Sequence, residues 1–289
     1  MRIDELHDRG HPVFSFEFFP PKTDEGAVAL MRAAAELKGM VAPDFISVTY
    51  GAGGSTRERT LEVVTRIQRE LELTAMAHLT CVGHTLDEIR EVVGTLIGSG
   101  IENVLALRGD PPKGEQKFVP REGGFGYASE LVQFLEDNYQ IGIGGACYPE
   151  AHPESPSADE DLRWTVHKVS CGTAFLITQL FFDNADYFGY VARARAAGIR
   201  VPITPGIMPI TNVGQVKRFT GMCGARIPEG LLERLNRHED DPASVMAIGI
   251  EHAIEQCRGL LEAGAPGVHF YTLNKSQATR SILAALRKL

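Results

Sequence analysis

The feature that most constrains this chain is an alternation kept up from one end to the other. Short runs rich in apolar and β-branched residues recur at Val13–Phe18, Phe45–Thr49, Thr74–Thr80, Asn103–Leu107, Ile141–Tyr148, Ala174–Gln179, Val201–Pro205 and Val268–Thr272. Helical periodicity fills the intervals. Leu61, Val64, Ile67 and Leu71 recur as one helical face, and Met246, Ile250, Ala253, Cys257 and Leu260 as another, with Asp241 placed to cap the latter and Pro242 at its first position. Strands that alternate with helices build parallel sheets, because a parallel neighbour is reached only by a long crossover. Eight such units in 289 residues, with no linker, short repeat or low-complexity tract between them, predict one (β/α)8 TIM-barrel domain over residues 1–289. An additional C-terminal helix is expected from about Ser276.

In such a barrel the turns that follow the strands carry the chemistry. Here those turns read FFPPK, TYGAGGST, HLTC, LRGDPP, CYPEAHPE, QLFFDN, GIMP and YTLNKS, whereas Gly98-Ser99-Gly100 and Ala197-Gly198 at the opposite end are plain helix stops. The asymmetry points to an enzyme. Strand parity sharpens it, since alternate residues face opposite sides. Ser15 and Glu17, Ser47 and Thr49, Met76, His78 and Thr80, and His269 and Tyr271 form one set, facing the lumen. Phe14, Phe16, Phe18, Ile46, Val48, Ala77, Leu79, Val268 and Phe270 form the other, suited to packing under helices. Glu17 ends an apolar strand, where a carboxylate is costly without partners or a task, and its burial predicts a raised pKa, as a general acid requires. The structural alternative is a pair with a lumen cation such as Lys275.

The net charge of −8 argues against nucleic acid as a general partner, while leaving room for local basic sites. No segment has the length and apolarity of a membrane span, and MRIDELHDRGHP lacks the apolar centre of a signal peptide. The five cysteines are odd in number, scattered and without a CxxC, which fits reduced thiols in a cytoplasmic protein and disfavours zinc.

The motifs SFEFFPPK, VTYGAGGSTRERT, HLTC, ALRGDPP, YPEAHPE, ITQLFFD, PGIMP and HFYTLNKS occur in this order from about Val13 to Lys275. Together they resemble the methylenetetrahydrofolate reductase family. The resemblance implies a barrel flavoprotein that binds FAD non-covalently, takes hydride from NADH or NADPH and delivers it to methylenetetrahydrofolate, giving methyltetrahydrofolate for methionine synthesis. It also implies the barrel without the regulatory domain that eukaryotic members append.

Residue by residue, Glu17 matches the family's general acid, and Asp110 the aspartate between flavin and pterin. Thr49, Tyr50, Ala52, His78, Arg108, Gly109, Asp110, Tyr127 and Ala128 match positions around flavin and nicotinamide. Tyr148, His152, Asp161 and Lys168 match the rest of the FAD site. Gln179 matches a contact shared by pterin and nicotinamide, which implies ping-pong turnover. Gln215, Phe219 and Lys275 match folate contacts. Lys275 stands where the bacterial pattern has an arginine, and an ammonium cannot form the bidentate fork to a carboxylate. Trp164 and His167 replace an asparagine and an arginine, a departure that bears on the adenosine half of FAD. A homo-oligomer is expected, as for many soluble enzymes. Two other readings stay open on residues alone: a Schiff-base aldolase using Lys168 or Lys275, and a non-catalytic folate or flavin carrier.

Overall fold

The computed structural model describes residues 1–50, 57–111, 114 and 118–286. The strands are β1 (Val13–Phe18), β2 (Phe45–Val48), β3 (Thr74–Thr80), β4 (Asn103–Leu107), β5 (Gly142–Cys147), β6 (Phe175–Thr178), β7 (Ile203–Thr204), β8 (Gly206–Ile207) and β9 (Gly267–Tyr271). The helices are α1 (Ile3–His7), α2 (Asp24–Val41), α3 (Arg57–Leu71), α4 (Leu86–Gly98), α5 (Ala128–Asn138), α6 (Ala158–Ser170), α7 (Asn184–Ala196), α8 (Val213–Cys223), α9 (Glu229–Arg237), α10 (Pro242–Glu262) and α11 (Gln277–Leu286). Strands pair in parallel in the order β7-β6-β5-β4-β3-β2-β1-β9-β8. This is the expected (β/α)8 barrel with a C-terminal helix.

The seventh barrel position departs from the expected strand Val201–Pro205. β7 pairs with β6 through Ile203 and Thr204, and β8 pairs with β9 through Gly206 and Ile207. Pro205 lies between them and has no N–H to give a ladder. The two ends of the strand order are therefore joined in sequence across one proline, and the barrel closes there.

The predicted parity holds. Phe16, Phe18, Ile46, Val48, Ala77, Leu79, Val268 and Phe270 lie in the layer between strands and helices. The lumen is apolar at its N-terminal end, where Val13, Phe45, Met76, Leu105, Phe175 and Ile177 meet Ile3 and Leu6 of α1. The polar N-terminal sequence thus hides an i, i+3 apolar pair that plugs the barrel floor, anchored by the Ile3 N–H on Asn103 Oδ1 at 2.8 Å. Burying each of these side chains is worth about 1.5–3 kcal/mol.

Two helical faces are rotated from expectation. In α3 the buried residues are Thr60, Val63, Val64 and Ile67, with Leu61 and Leu71 at the margin. In α10 they include Val245, Gly249, Ala253, Gln256, Cys257 and Leu260 rather than Met246 and Ile250. Gly249 explains the second case. A Cβ there would lie 1.9 Å from the Ile210 carbonyl oxygen, so the helix approaches the chain after β8 along its glycine.

Candidate active site

Polar side chains collect at the other, C-terminal end of the lumen. Glu17 is the penultimate residue of β1 and is 6% exposed. Its Oε2 lies 3.3 Å from His78 Nε2 on β3 and 3.4 Å from His269 Nε2 on β9. The His269 contact is aligned as a hydrogen bond, whereas His78 Nε2 is off that axis and acts through its charge. His269 Nδ1 lies 2.7 Å from Ser15 Oγ, two residues before Glu17 on the same face. With Nε2–H donating to the carboxylate, a neutral His269 must accept from the serine hydroxyl at Nδ1.

The expected rise in the Glu17 pKa is overturned by these neighbours. Burial pushes the carboxyl up, but the charge of His78, the hydrogen bond from His269 and the charge of His269 outweigh it, and the group is held at about 2. The ion pairs of Glu17 among the described residues are with these two histidines and not with Lys275, which is exposed on the turn after β9.

That turn is fixed to the end of β1. Thr272 donates through Oγ1 to the Glu17 carbonyl at 2.6 Å, and Asn274 holds both backbone groups of Phe19, at 2.7 and 2.9 Å. Leu273 and Asn274 have φ of 51° and 60°, left-handed values that a non-glycine residue keeps only when its surroundings enforce them. Tyr271 spans the lumen and donates to the Thr178 carbonyl at 2.6 Å, with its pKa raised by burial and then by Glu17 and Tyr148.

A second group lies along the ends of β4, β5 and α6. The Asp110 charge reaches Arg108, Tyr148 and His152, and the Asp161 charge reaches Tyr148, His152 and Lys168. Tyr148 and His152 meet edge to face at 4.7 Å. Burial lowers the pKa of His152 and Lys168 and raises that of Asp161. Lys168 donates to the Ala146 carbonyl and forms no ion pair among the described residues. Arg108 is engaged: its guanidinium holds Glu154 at 2.6 and 2.8 Å and lies over the Phe118 ring. Gly109, at φ +86°, presses on the barrel wall, since a Cβ would fall 2.5 Å from Val82 Cγ1.

The remaining predicted residues are more dispersed. Thr49 is buried beside the lumen, and Tyr50 donates to His84 Nε2 at 3.1 Å, the His84 Nδ1–H being used by the Val82 carbonyl. Gln179 Oε1 accepts from the Leu180 N–H. Gln215 and Phe219 lie on α8, where Phe219 joins the apolar cluster that includes Met208 and touches Tyr271. Ala128 begins α5 and Tyr127 caps it, 63% exposed. Ala52 lies outside the described residues. The sequence reading missed His269 and Thr272 as partners of Glu17 and Ser15 as the partner of His269, although the shared parity of His269 and Glu17 was a signal for the first, and it had no signal for Glu154.

The lumen fits a flat, heteroatom-rich ring. Ser47 Oγ and Thr80 Oγ1, on the same strand faces as Glu17 and His78, are buried without a hydrogen-bond partner among the described residues. Each such hydroxyl costs about 1–3 kcal/mol, which a polar ring edge would recover. The Lys168 ammonium and Arg108 guanidinium are the donor types that phosphates require.

This fold and site define a class: parallel (β/α)8 barrels that hold a buried acid–base cluster at the C-terminal mouth. Within it, the chain belongs to the methylenetetrahydrofolate reductase family, whose model matches residues 2–287. It is 40% identical over 296 residues to methylenetetrahydrofolate reductase (NADH) 1 of Arabidopsis thaliana, covering 99% of this chain and 50% of the plant protein. It is 38% identical over 272 residues to 5,10-methylenetetrahydrofolate reductase of Escherichia coli, covering 94% of this chain and 90% of the relative. The chain spans about half the length of the plant relatives it matches. A protein of Clostridium thermocellum, described as binding two copies of 5-methyl-5,6,7,8-tetrahydrofolic acid, shares the fold at a TM-score of 0.63 and 16% identity, covering 99% of this chain and 98% of that one.

Proposed function

We propose that residues 1–289 act as one catalytic barrel that reduces methylenetetrahydrofolate to methyltetrahydrofolate, with NADH or NADPH as reductant and FAD as carrier. The observation that carries this reading is the Glu17–His78–His269 cluster at the C-terminal mouth of the barrel. Bound flavin would supply a two-electron store, so that the two substrates are handled in turn.

The methylene bridge must open before it can accept hydride, and opening needs a proton on the departing nitrogen. Glu17 is the acid in reach of a ring seated in the lumen. At rest the carboxyl is ionised, because the surrounding histidines hold it at about 2. A ring that closes the mouth removes water and strengthens the burial effect that favours the neutral acid. A proton taken up from solvent at Oε2 then passes to the departing nitrogen, leaving the carboxylate, and His269, oriented by Ser15, holds Oε2 in place through its hydrogen bond.

Asp110 at the rim supplies negative charge that favours a cationic folate and can accept from an amino edge. Gln179 keeps its amide N–H₂ as a donor for pterin or nicotinamide. Thr49, Tyr50, His78, Gly109, Ala128, Tyr148 and His152 would frame the flavin, with Arg108, Lys168 and Asp161 toward its phosphates and ribose. Gln215, Phe219 and Lys275 would contact folate. One pocket serving both substrates entails double-displacement kinetics, with parallel initial-rate lines. A homo-oligomer and a cytoplasmic setting belong to the same proposal. Among the described residues no helix is long and apolar enough to cross a membrane, and all five cysteines are free.

The test is a visible spectrum of the purified protein under anaerobic conditions. A yellow protein that bleaches with NADH or NADPH and recolours with methylenetetrahydrofolate is the expected result. A protein that binds no flavin, or is reduced but never reoxidised by the folate, would overturn the assignment.

A further inference from the structure

One buried histidine at the barrel mouth takes no part in the Glu17 cluster. His84 lies in the turn between β3 and α4 and is 3% exposed. Its surroundings hold that turn rigidly. α4 begins in a capping box between Thr85 and Glu88, and the Leu86 N–H donates to the Gly123 carbonyl at 3.0 Å. Gly124 packs so closely that a Cβ there would fall 2.3 Å from the His84 carbonyl oxygen. Arg121 ties the same turn through the Gly83 carbonyl and Glu88. Inside this frame the His84 Nδ1–H is used by the Val82 carbonyl at 2.9 Å. A neutral imidazole then has only an acceptor left at Nε2, and it accepts from the Tyr50 hydroxyl at 3.1 Å.

Strand register places Tyr50 at the reacting end of the barrel. β1 and β2 pair with Glu17 opposite Ser47, and Tyr50 follows three residues later, toward the mouth. Thr49 pins that end of β2, its N–H donating to the Phe18 carbonyl at 2.9 Å and its carbonyl accepting from Thr60 Oγ1 at 3.0 Å. Tyr50 is half-buried, so part of it stays open to a ligand at this rim. With its proton committed to His84, the phenol oxygen offers lone pairs alone. It can receive an N–H or O–H from a bound molecule and cannot donate to one.

We infer that His84 is a positioning residue that fixes the Tyr50 hydroxyl as a hydrogen-bond acceptor and so selects ligand groups carrying N–H or O–H at the β2 rim. Protonation of His84 reverses the arrangement. Nε2 becomes a donor, the phenol oxygen accepts from it, and the tyrosine proton turns to the ligand. The charged groups around His84 are Arg57 on α3, Glu88 on α4 and Arg121 in the turn before α5. Burial first, and then the two arginines, lower the imidazole pKa against the pull of the Val82 carbonyl and Glu88. The acceptor state therefore holds at neutral pH, and the reversal comes below about pH 6.5.

The inference rests on the catalytic reading above for its ligands, and its test separates the two. Nitrogen NMR of the imidazoles, with His84 assigned through His84→Gln, should show the Nδ1–H tautomer at neutral pH. An Nε2–H tautomer would overturn the inference whatever the activity. Binding is then measured for flavin by fluorescence titration, for NADH or NADPH by the bleaching half-reaction and for methylenetetrahydrofolate by recolouring. His84→Ala should weaken about 2- to 13-fold the one ligand that donates to Tyr50, the worth of a neutral hydrogen bond, and leave the other two unchanged. Tyr50→Phe should lose a similar factor, and adding His84→Ala to it should cost nothing more, since the hydroxyl through which His84 acts is gone. His84→Gln, whose amide oxygen accepts but does not titrate, should keep wild-type affinity and abolish the weakening that wild type shows below about pH 6.5. Additive losses in the double variant, or His84→Ala equal to wild type for all three ligands, would overturn the inference while leaving the catalytic reading standing. Wild type with no affinity for any of the three would overturn the catalytic reading and the ligand selection together.

Discussion

His269 Nε2 lies 3.4 Å from Oε2 of Glu17, across 252 residues of sequence, and its other ring nitrogen is fixed by Ser15 at 2.7 Å. A carboxylate so placed is not the isolated acid that its apolar strand suggests. It is one end of a hydrogen-bonded line in which the carboxyl stays ionised although burial alone would favour its neutral form.

Replacing this carboxylate separates the two halves of the proposed reaction. In Glu17→Gln, bleaching by NADH or NADPH should persist, since that hydride transfer needs no proton from Glu17. Reoxidation by methylenetetrahydrofolate should slow by about 10²–10⁴-fold, the usual contribution of a positioned acid. Stopped-flow absorbance of each half-reaction decides it, and loss of both halves alike would assign Glu17 to binding or folding instead.

The same group sets a pH dependence of stability. Its folded pKa is depressed from 4.5 to about 2, so the stability it contributes is present above about 4.5 and is lost as pH falls from there toward 2. At 1.36 kcal/mol per pKa unit the loss is about 3 kcal/mol. Urea unfolding from pH 5 to 2.5 should show a shallower decline in Glu17→Gln than in wild type. Parallel declines would mean that the histidines do not hold the carboxylate.

Arg108 cannot serve a phosphate while both of its terminal nitrogens are held by Glu154. Glu154→Gln removes the competing charge and should tighten FAD binding, by up to about fivefold, since a partly exposed pair is worth about 0.2–1 kcal/mol. Flavin fluorescence titration measures it. Weaker binding in the variant would show that Glu154 orients Arg108 for the ligand rather than withholding it.

Gly249→Ala tests the rotated face of α10. Alanine should favour the helix by up to about 1 kcal/mol, yet its Cβ would meet the Ile210 carbonyl oxygen at 1.9 Å and its carbon at 2.7 Å. Backbone cannot yield as a flexible side chain does, so the overlap should dominate. A net loss of about 1–3 kcal/mol is expected in denaturant unfolding, and a neutral or stabilised variant would show that α10 can move away from Ile210.

Much of this molecule is written locally. The alternation of strand and helix, the parity that sends Phe16 and Phe18 under the helices and Glu17 and His78 into the lumen, and the chemical bias toward one set of turns all follow from side-chain order along short segments. They depend on backbone periods of 2 and 3.6 residues, which any stretch of chain carries with it. What required the tertiary structure depends on distances between segments. The closure of β9 against β1 brings His269 to Glu17 and reverses the direction in which burial alone would move the carboxyl. Pro205 becomes the joint of the barrel only because β6 and β9 flank it, and Arg108 is claimed by Glu154 only because the turn after β5 folds back over β4. The stacking of Tyr127 on Trp164 likewise waits on the packing of α5 against α6. Electrostatic and packing energies change over a few ångströms, and such separations are set by the closed barrel, not by the order of residues in any one segment.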